Sequence, residues 1–128
     1  MKKKITILLI LISIIAIVAY NYLYKEHRNI GSESALYSLT LKDLKNDFEV
    51  NDSVANVKYL DKTITINGKI TSLDLSQNEI VIDSSISAKF NSKLHSVNNN
   101  DKISIKGRFI GYDDLLEEYK MDQCEVQN

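Results

Sequence analysis

Residues Lys62–Ser72 read KTITINGKITS, and the fold is decided there. Ile64, Ile66 and Ile70 fall on one side of an extended chain; Thr63, Thr65, Asn67, Lys69 and Thr71 fall on the other. Side chains alternate between the two faces of a strand, so this pattern predicts a half-buried strand. Gly68 takes its place on the apolar side, where a missing side chain lets a strand bend or another backbone come close. A long strand with one apolar face and an internal glycine is what a small closed barrel needs at its first strand.

Downstream, Gln77-Asn78 is a turn signal. Glu79–Asp83 predicts a second strand with Ile80 and Ile82 inward, and Ser84-Ser85 turns the chain. Ile86, Ala88 and Phe90 form the inward set of a third strand, with Ser87 and Lys89 outward. Asn91–Asn100 is polar, and Leu94 and Val97 stand at helical spacing, enough for one short helix. Lys102–Ile110 repeats the first strand: Ile103, Ile105, Gly107 and Phe109 inward, Lys102, Ser104, Lys106 and Arg108 outward, with Gly111 ending it. Tyr119–Val126 has mixed phase, Tyr119 and Met121 one way and Cys124 and Val126 the other; a bulge near Asp122-Gln123 reconciles them. Five strands over 62–128 predict a mainly β fold, the five-stranded Greek-key barrel called the OB-fold. An unclosed five-stranded sandwich is the alternative.

Upstream, 25–61 reads as a linker and helical lead-in. Tyr37, Leu41, Leu44 and Phe48 recur at helical spacing, with Thr40 as N-cap and Asp43 completing a short capping box. The pattern leaves Glu33–Leu39 unassigned. Asn51-Asp52-Ser53 is a second cap, followed by an apolar face of Val54, Val57 and Leu60. Both helices are expected to pack on the barrel or plug its open end.

Residues 1–24 are of another kind. Lys2, Lys3 and Lys4 precede twenty uncharged residues, Ile5–Tyr24, about 30 Å of helix and the thickness of a bilayer core. Tyr20, Tyr22 and Tyr24 cluster at the far end, where aromatic rings favour the interface, and Lys25, His27 and Arg28 mark the exit. A cleaved signal peptide calls for a shorter run and a small-x-small site, and no cysteine follows to accept a lipid. An uncleaved signal anchor is expected: single-pass, in the cytoplasmic membrane, with the basic end inside and the barrel outside.

The chain has 128 residues and net charge −1; removing Lys2–Lys4 from its 16 Lys+Arg leaves 13 against 17 Asp+Glu, so the remainder is −4. An acidic domain argues against nucleic acid, which rewards clustered cations. The single cysteine, Cys124, excludes an internal disulfide and reads as a small buried hydrophobe. Two distant histidines, His27 and His95, and one cysteine give no metal-ligand spacing, and no cofactor is expected. Asp113-Asp114 and Glu117-Glu118 read as exposed loop acids and not as a catalytic pair.

Phe48, the run Ala55-Asn56-x-Lys58-Tyr59-x-x-Lys62 leading to Gly68, Lys106-Gly107, Gly111-Tyr112 and Cys124 together resemble the tRNA_anti-like group, small bacterial envelope proteins with an OB-fold that are often lipoproteins. The resemblance covers about Leu41–Val126 and implies an OB-fold behind an N-terminal membrane attachment. It implies no particular activity. The lipidated cysteine of lipoprotein members is missing here.

On this reading the function is a membrane-anchored, non-enzymatic binding module for an envelope protein, peptide or glycan. The recognition face would carry Ser85, Ser87 and Lys89. The alternative is single-stranded nucleic acid, with Lys69, Lys89, Lys106 and Arg108 as a basic stripe. Phe90 and Phe109, which would have to stack bases, fall on the inward phase.

Overall fold

The computed structural model describes residues 1–24 and 28–128; Lys25 and His27, read above as the exit of the apolar run, lie outside the described residues. Helix α1 (Lys2–Leu23) contains an 18-residue stretch of mean hydropathy 2.4 and is long and apolar enough to cross a membrane. After a 3-10 turn at Ile30–Ser32 come a short strand β1 (Tyr37–Leu39) and helices α2 (Leu41–Val50) and α3 (Asp52–Tyr59). Five strands follow: β2 (Thr63–Asp74), β3 (Glu79–Ile82), β4 (Ile86–Phe90), β5 (Lys102–Asp113) and β6 (Glu118–Val126).

These five close on themselves in the order β2-β3-β4-β6-β5 and back to β2. Every pairing is antiparallel except β4 with β6, which is parallel. That ring is the OB-fold barrel. The alternating isoleucines build its interior: Ile64, Ile66, Ile70, Ile80, Ile82, Ile86 and Ile105 are fully buried. β-branched side chains suit this pleated, half-buried surface.

Gly68 is where β2 bends. A Cβ there would lie 2.4 Å from Ile82 Cγ2 and 2.6 Å from Asp83 Oδ2, so the end of β3 occupies the space a side chain would need. β2 pairs with β5 over Thr63–Lys69 and with β3 from Ile70 to Asp74, and a register shift follows between Ile70 and Ser72. The bulge expected in the last strand is present. Gln123 has φ of 50°, the register shifts opposite Lys106–Arg108, and Tyr119, Met121 and Cys124 all face inward.

The open end beside the start of β2 is plugged by α2 and α3. The α2 capping box forms as predicted: the Thr40 hydroxyl accepts from Asp43 N, and Thr40 N donates to Asp43 Oδ2 at 2.7 Å. Leu44 and Phe48 face the barrel. Phe48 stands 5.2 Å from Tyr119 and 6.0 Å from Phe109, ring centre to ring centre.

Several expectations are corrected. Tyr37 does not extend the α2 stripe. It belongs to β1, which adds in parallel to β2 with Tyr37 beside Ile64, so a sixth strand borders the barrel. The face of α3 is turned: Val54, Val57 and Leu60 are exposed, and Ala55 and Tyr59 are buried. Tyr59 brings far more apolar area than a valine, and its hydroxyl finds Asp47 only in this orientation. No helix forms in 91–100. Asn78 donates its side-chain amide to the carbonyls of Phe90 and Ser92 and accepts from Leu94 N, which takes up the backbone groups a helix would use. Leu94 and Val97 still pack on the core. Gly111 does not end its strand: with φ of 137° it forms a bulge, and β5 continues to Asp113. Val126 does not follow Cys124 inward and is exposed near the end of β6. Ser87 keeps the outward phase between Ile86 and Ala88 but is covered there: it is buried and donates to Glu79 Oε1.

Candidate functional site

The four basic residues of the predicted stripe separate into two groups. Lys106 and Arg108 are committed to structure. Lys106 Nζ donates to the Gly31 carbonyl at 2.8 Å and fastens the 3-10 turn to β5. Arg108 grips Asp122 through both Nε and Nη2, with Nε–Oδ1 at 2.8 Å, and its Nη1 reaches Asp61 at 3.4 Å. A fork-to-fork pair of this kind fixes geometry as well as charge.

Asp61 also receives Arg28, whose Nη1 donates to the Asp61 carbonyl at 2.6 Å and lies 3.2 Å from its carboxylate. The same guanidinium holds Glu33, which accepts in addition from the Thr63 hydroxyl. The Arg28 hydrogen bonds, then that of Thr63, pull the Glu33 carboxyl down to about 2. Its folded value lies below the ordinary 4.5, so its contribution to stability is complete above pH 4.5 and fades as pH falls toward 2. Glu33→Gln is therefore expected to flatten the acid limb of a melting-temperature profile between those values. An unchanged limb would show that the contact does not persist in solution.

Lys69 and Lys89 remain exposed and have no ion-pair partner among the described residues. Lys89 stands on β4 opposite Glu79. Lys69 stands on β2 opposite Lys102 of β5, and the two lie in an open groove of about 550 Å³ together with Asn67, Gly68, Asp83 and Ser104. Asp83 lines the same groove: its Oδ1 accepts from Lys69 N at 3.1 Å, and its Oδ2 lies 2.6 Å from where a Cβ on Gly68 would stand. Like charges directly opposite across two strands repel, at a cost of up to about 1 kcal/mol, unless something anionic lies between them. Lys102 was read from the sequence as an outward strand residue and not as a site residue. Its role depends on the β2–β5 register, which no local pattern reveals.

The β3–β4 face, where OB-folds commonly take ligands, is polar. Ser87 is tied to Glu79 beneath it, and Lys120 on the adjoining β6 pairs with Glu118 at 2.8 Å. Phe90 and Phe109 are buried as predicted, so neither is available to stack a base. Cys124 is buried, and that burial pushes its thiol up, away from the thiolate that a nucleophile uses. No cluster of potential metal ligands occurs among the described residues.

No curated protein sequence matches this chain. Among solved structures, the fold is similar to a crystal structure from Klebsiella pneumoniae described as a "putative nucleic acid-binding lipoprotein". The TM-score is 0.55 and the identity 14%, over 71% of this chain and 91% of that one; at this identity the likeness concerns the fold. The tRNA_anti-like family profile matches residues 1–117, which take in α1, the helical plug and barrel strands β2–β5, and end in the turn before β6. A closed OB-fold barrel behind an apolar N-terminal helix, matched over nearly its whole length, places the chain in the tRNA_anti-like family.

Proposed function

We infer that this protein is a non-catalytic binding module, held at the cell envelope by α1, whose Lys69–Lys102 groove takes an acidic segment of a protein, peptide or glycan. The observation that carries the reading is the direct opposition of two exposed lysines with no ion-pair partner among the described residues, in a groove shared with Asn67, Ser104 and Asp83. A carboxylate-bearing chain laid across them would relieve their repulsion and meet donors on both strands. Lys2–Lys4 ahead of a span-length helix support the proposed location: a single pass, basic end in the cytoplasm, barrel outside. A compartment-sensitive reporter fused after Asn128 should then be active outside the cytoplasm; activity inside would overturn the orientation.

Single-stranded nucleic acid is the second reading, favoured by the same two lysines and by the description of the Klebsiella structure. Against it stand the net charge, the engagement of Lys106 and Arg108, and the burial of the strand aromatics. Titration of the full chain in nanodiscs with polyglutamate and with oligo(dT) separates the two. The first reading expects polyglutamate to bind, and Lys69→Ala with Lys102→Ala to weaken it by about tenfold, the equivalent of ~1.4 kcal/mol. Tighter oligo(dT) binding lost in the same variant would transfer the groove to nucleic acid, and a double variant indistinguishable from wild type with both probes would remove it from consideration.

A further inference from the structure

We propose that the plugged end of the barrel rests on the bilayer that holds α1, docking through an apolar patch of Val57, Leu60, Ile110, Leu115 and Leu116. The proposal rests on the reading of α1 as an anchor. It goes beyond that reading by assigning a second, reversible membrane contact to the globular part.

These five residues share one end of the molecule. β2 begins at Thr63, which pairs with Arg108 of the antiparallel β5. β5 then runs on past the start of β2 to Asp113, and the turn carrying Leu115 and Leu116 lies beyond it. α3 finishes beside this overhang: Leu60 Cδ1 is 4.0 Å from where a Cβ on Gly111 would stand. Tyr59 points into the barrel, which leaves Val57 on the outer side at 80% exposure; Leu115 is 95% exposed. A soluble protein rarely gathers large apolar side chains at one pole without a surface to meet them.

The tether says what that surface is. The chain enters the globular part at this same end, where Arg28 is clamped to Asp61 and reaches Thr63 Oγ1 at 3.5 Å. Tyr24, which caps α1, and Arg28 are four peptide steps apart, at most about 14 Å when fully extended. The headgroup zone on each side of the hydrocarbon takes up about 5–8 Å of that span. The plugged end therefore cannot stand off from the bilayer by more than about one side-chain length. Asp114 and Glu117 flank the two leucines in the turn, so attraction to anionic lipid is not the driving force. The docking is apolar and should persist in zwitterionic lipid and high salt. With this end down, the Lys69–Lys102 groove, midway along β2 and at the start of β5, lies on the side away from the membrane.

The chain has no tryptophan, so single substitutions report without background. Val18→Trp, Leu115→Trp and Leu75→Trp are introduced separately into the full chain, which is reconstituted in phosphatidylcholine vesicles with or without brominated acyl chains. Leu75 is also exposed but lies after the far end of β2. The expected result is strong quenching at position 18, roughly twofold quenching at 115, unchanged in high salt, and none at 75. Quenching at 18 with none at 115 overturns the docking and leaves the anchor standing. A reporter at 115 that is unquenched yet blue-shifted with rising protein concentration assigns the patch to a second copy and also overturns it. Absence of quenching at 18 overturns the anchor reading and the docking with it.

Discussion

Tyr59→Ala is expected to destabilise the barrel by about 3–5 kcal/mol, the cost of emptying a fully buried aromatic site. For a domain of about 100 residues that is a melting-temperature drop of roughly 15–30 °C, set against a total stability of about 5–15 kcal/mol. The size of the effect comes from what this one ring joins. It packs edge-on to Tyr37 of β1 at 5.3 Å and to Phe109 of β5 at 6.0 Å, so it binds the plug to two parts of the sheet. Its hydroxyl donates to Asp47 of α2, and Lys58 donates to the same carboxylate oxygen at 2.9 Å, which holds the two helices together. The hydrogen bonds of Tyr59 and then Lys58 keep the Asp47 carboxyl below its usual range. Tyr59→Phe isolates the polar part, because Asp47 keeps Lys58; its expected cost is about 1–2 kcal/mol. Urea unfolding of both variants separates the contributions. If alanine costs no more than phenylalanine, the ring does not join plug to barrel in solution, and α2–α3 would be a peripheral addition.

Tyr59 also shows where sequence reasoning reaches its limit. The strands were legible because their signal is local: isoleucine at every second position identifies a buried face without reference to any other strand. The α2 cap was legible for the same reason, since Thr40 and Asp43 are three residues apart. The phase of α3 was not. In an eight-residue helix, Val54-Val57-Leu60 and Ala55-Tyr59 are both acceptable stripes, and the choice is made by Asp47 and Phe109, residues of other elements. β1 was hidden because three residues carry no period, and Tyr37 stood by chance in register with the α2 stripe.

The candidate site divides along the same line. That Lys69, Lys89, Lys106 and Arg108 point away from the core was legible from alternation. Which of them are free was not. Asp122 reaches Arg108 from β6, the Gly31 carbonyl reaches Lys106 from 75 residues away, and Lys102 meets Lys69 only through the β2–β5 register. Ion pairing depends on long-range placement, so a basic stripe read from one strand at a time overstates the free charge.

Gly107→Ala is expected to cost about 2–3 kcal/mol and Gly107→Val more than that, because the space a side chain would need is already filled. A Cβ at this position would stand 2.5 Å from Cys124 Sγ, 3.0 Å from the Asp122 carbonyl oxygen and 3.2 Å from Cys124 Cα. The cause is the β6 bulge. Gln123, at φ of 50°, takes the extra residue, and the chain turns Cys124 inward over β5 where the register shifts across Gly107. Glycine at 107, the bulge at 123 and a small residue at 124 are thus one device. It keeps Tyr119, Met121 and Cys124 on the inner face although they do not follow a strict alternation. The dependence can be measured. Cys124→Ala removes the sulfur contact and leaves the Asp122 carbonyl in place, so in the Gly107→Ala background it should restore part of the loss. The double variant is expected to be at least about 1 kcal/mol more stable than the sum of the single effects, a coupling that contact across a shared space produces. Strict additivity would mean that β6 moves aside at little cost, and that the bulge does not depend on a glycine opposite it.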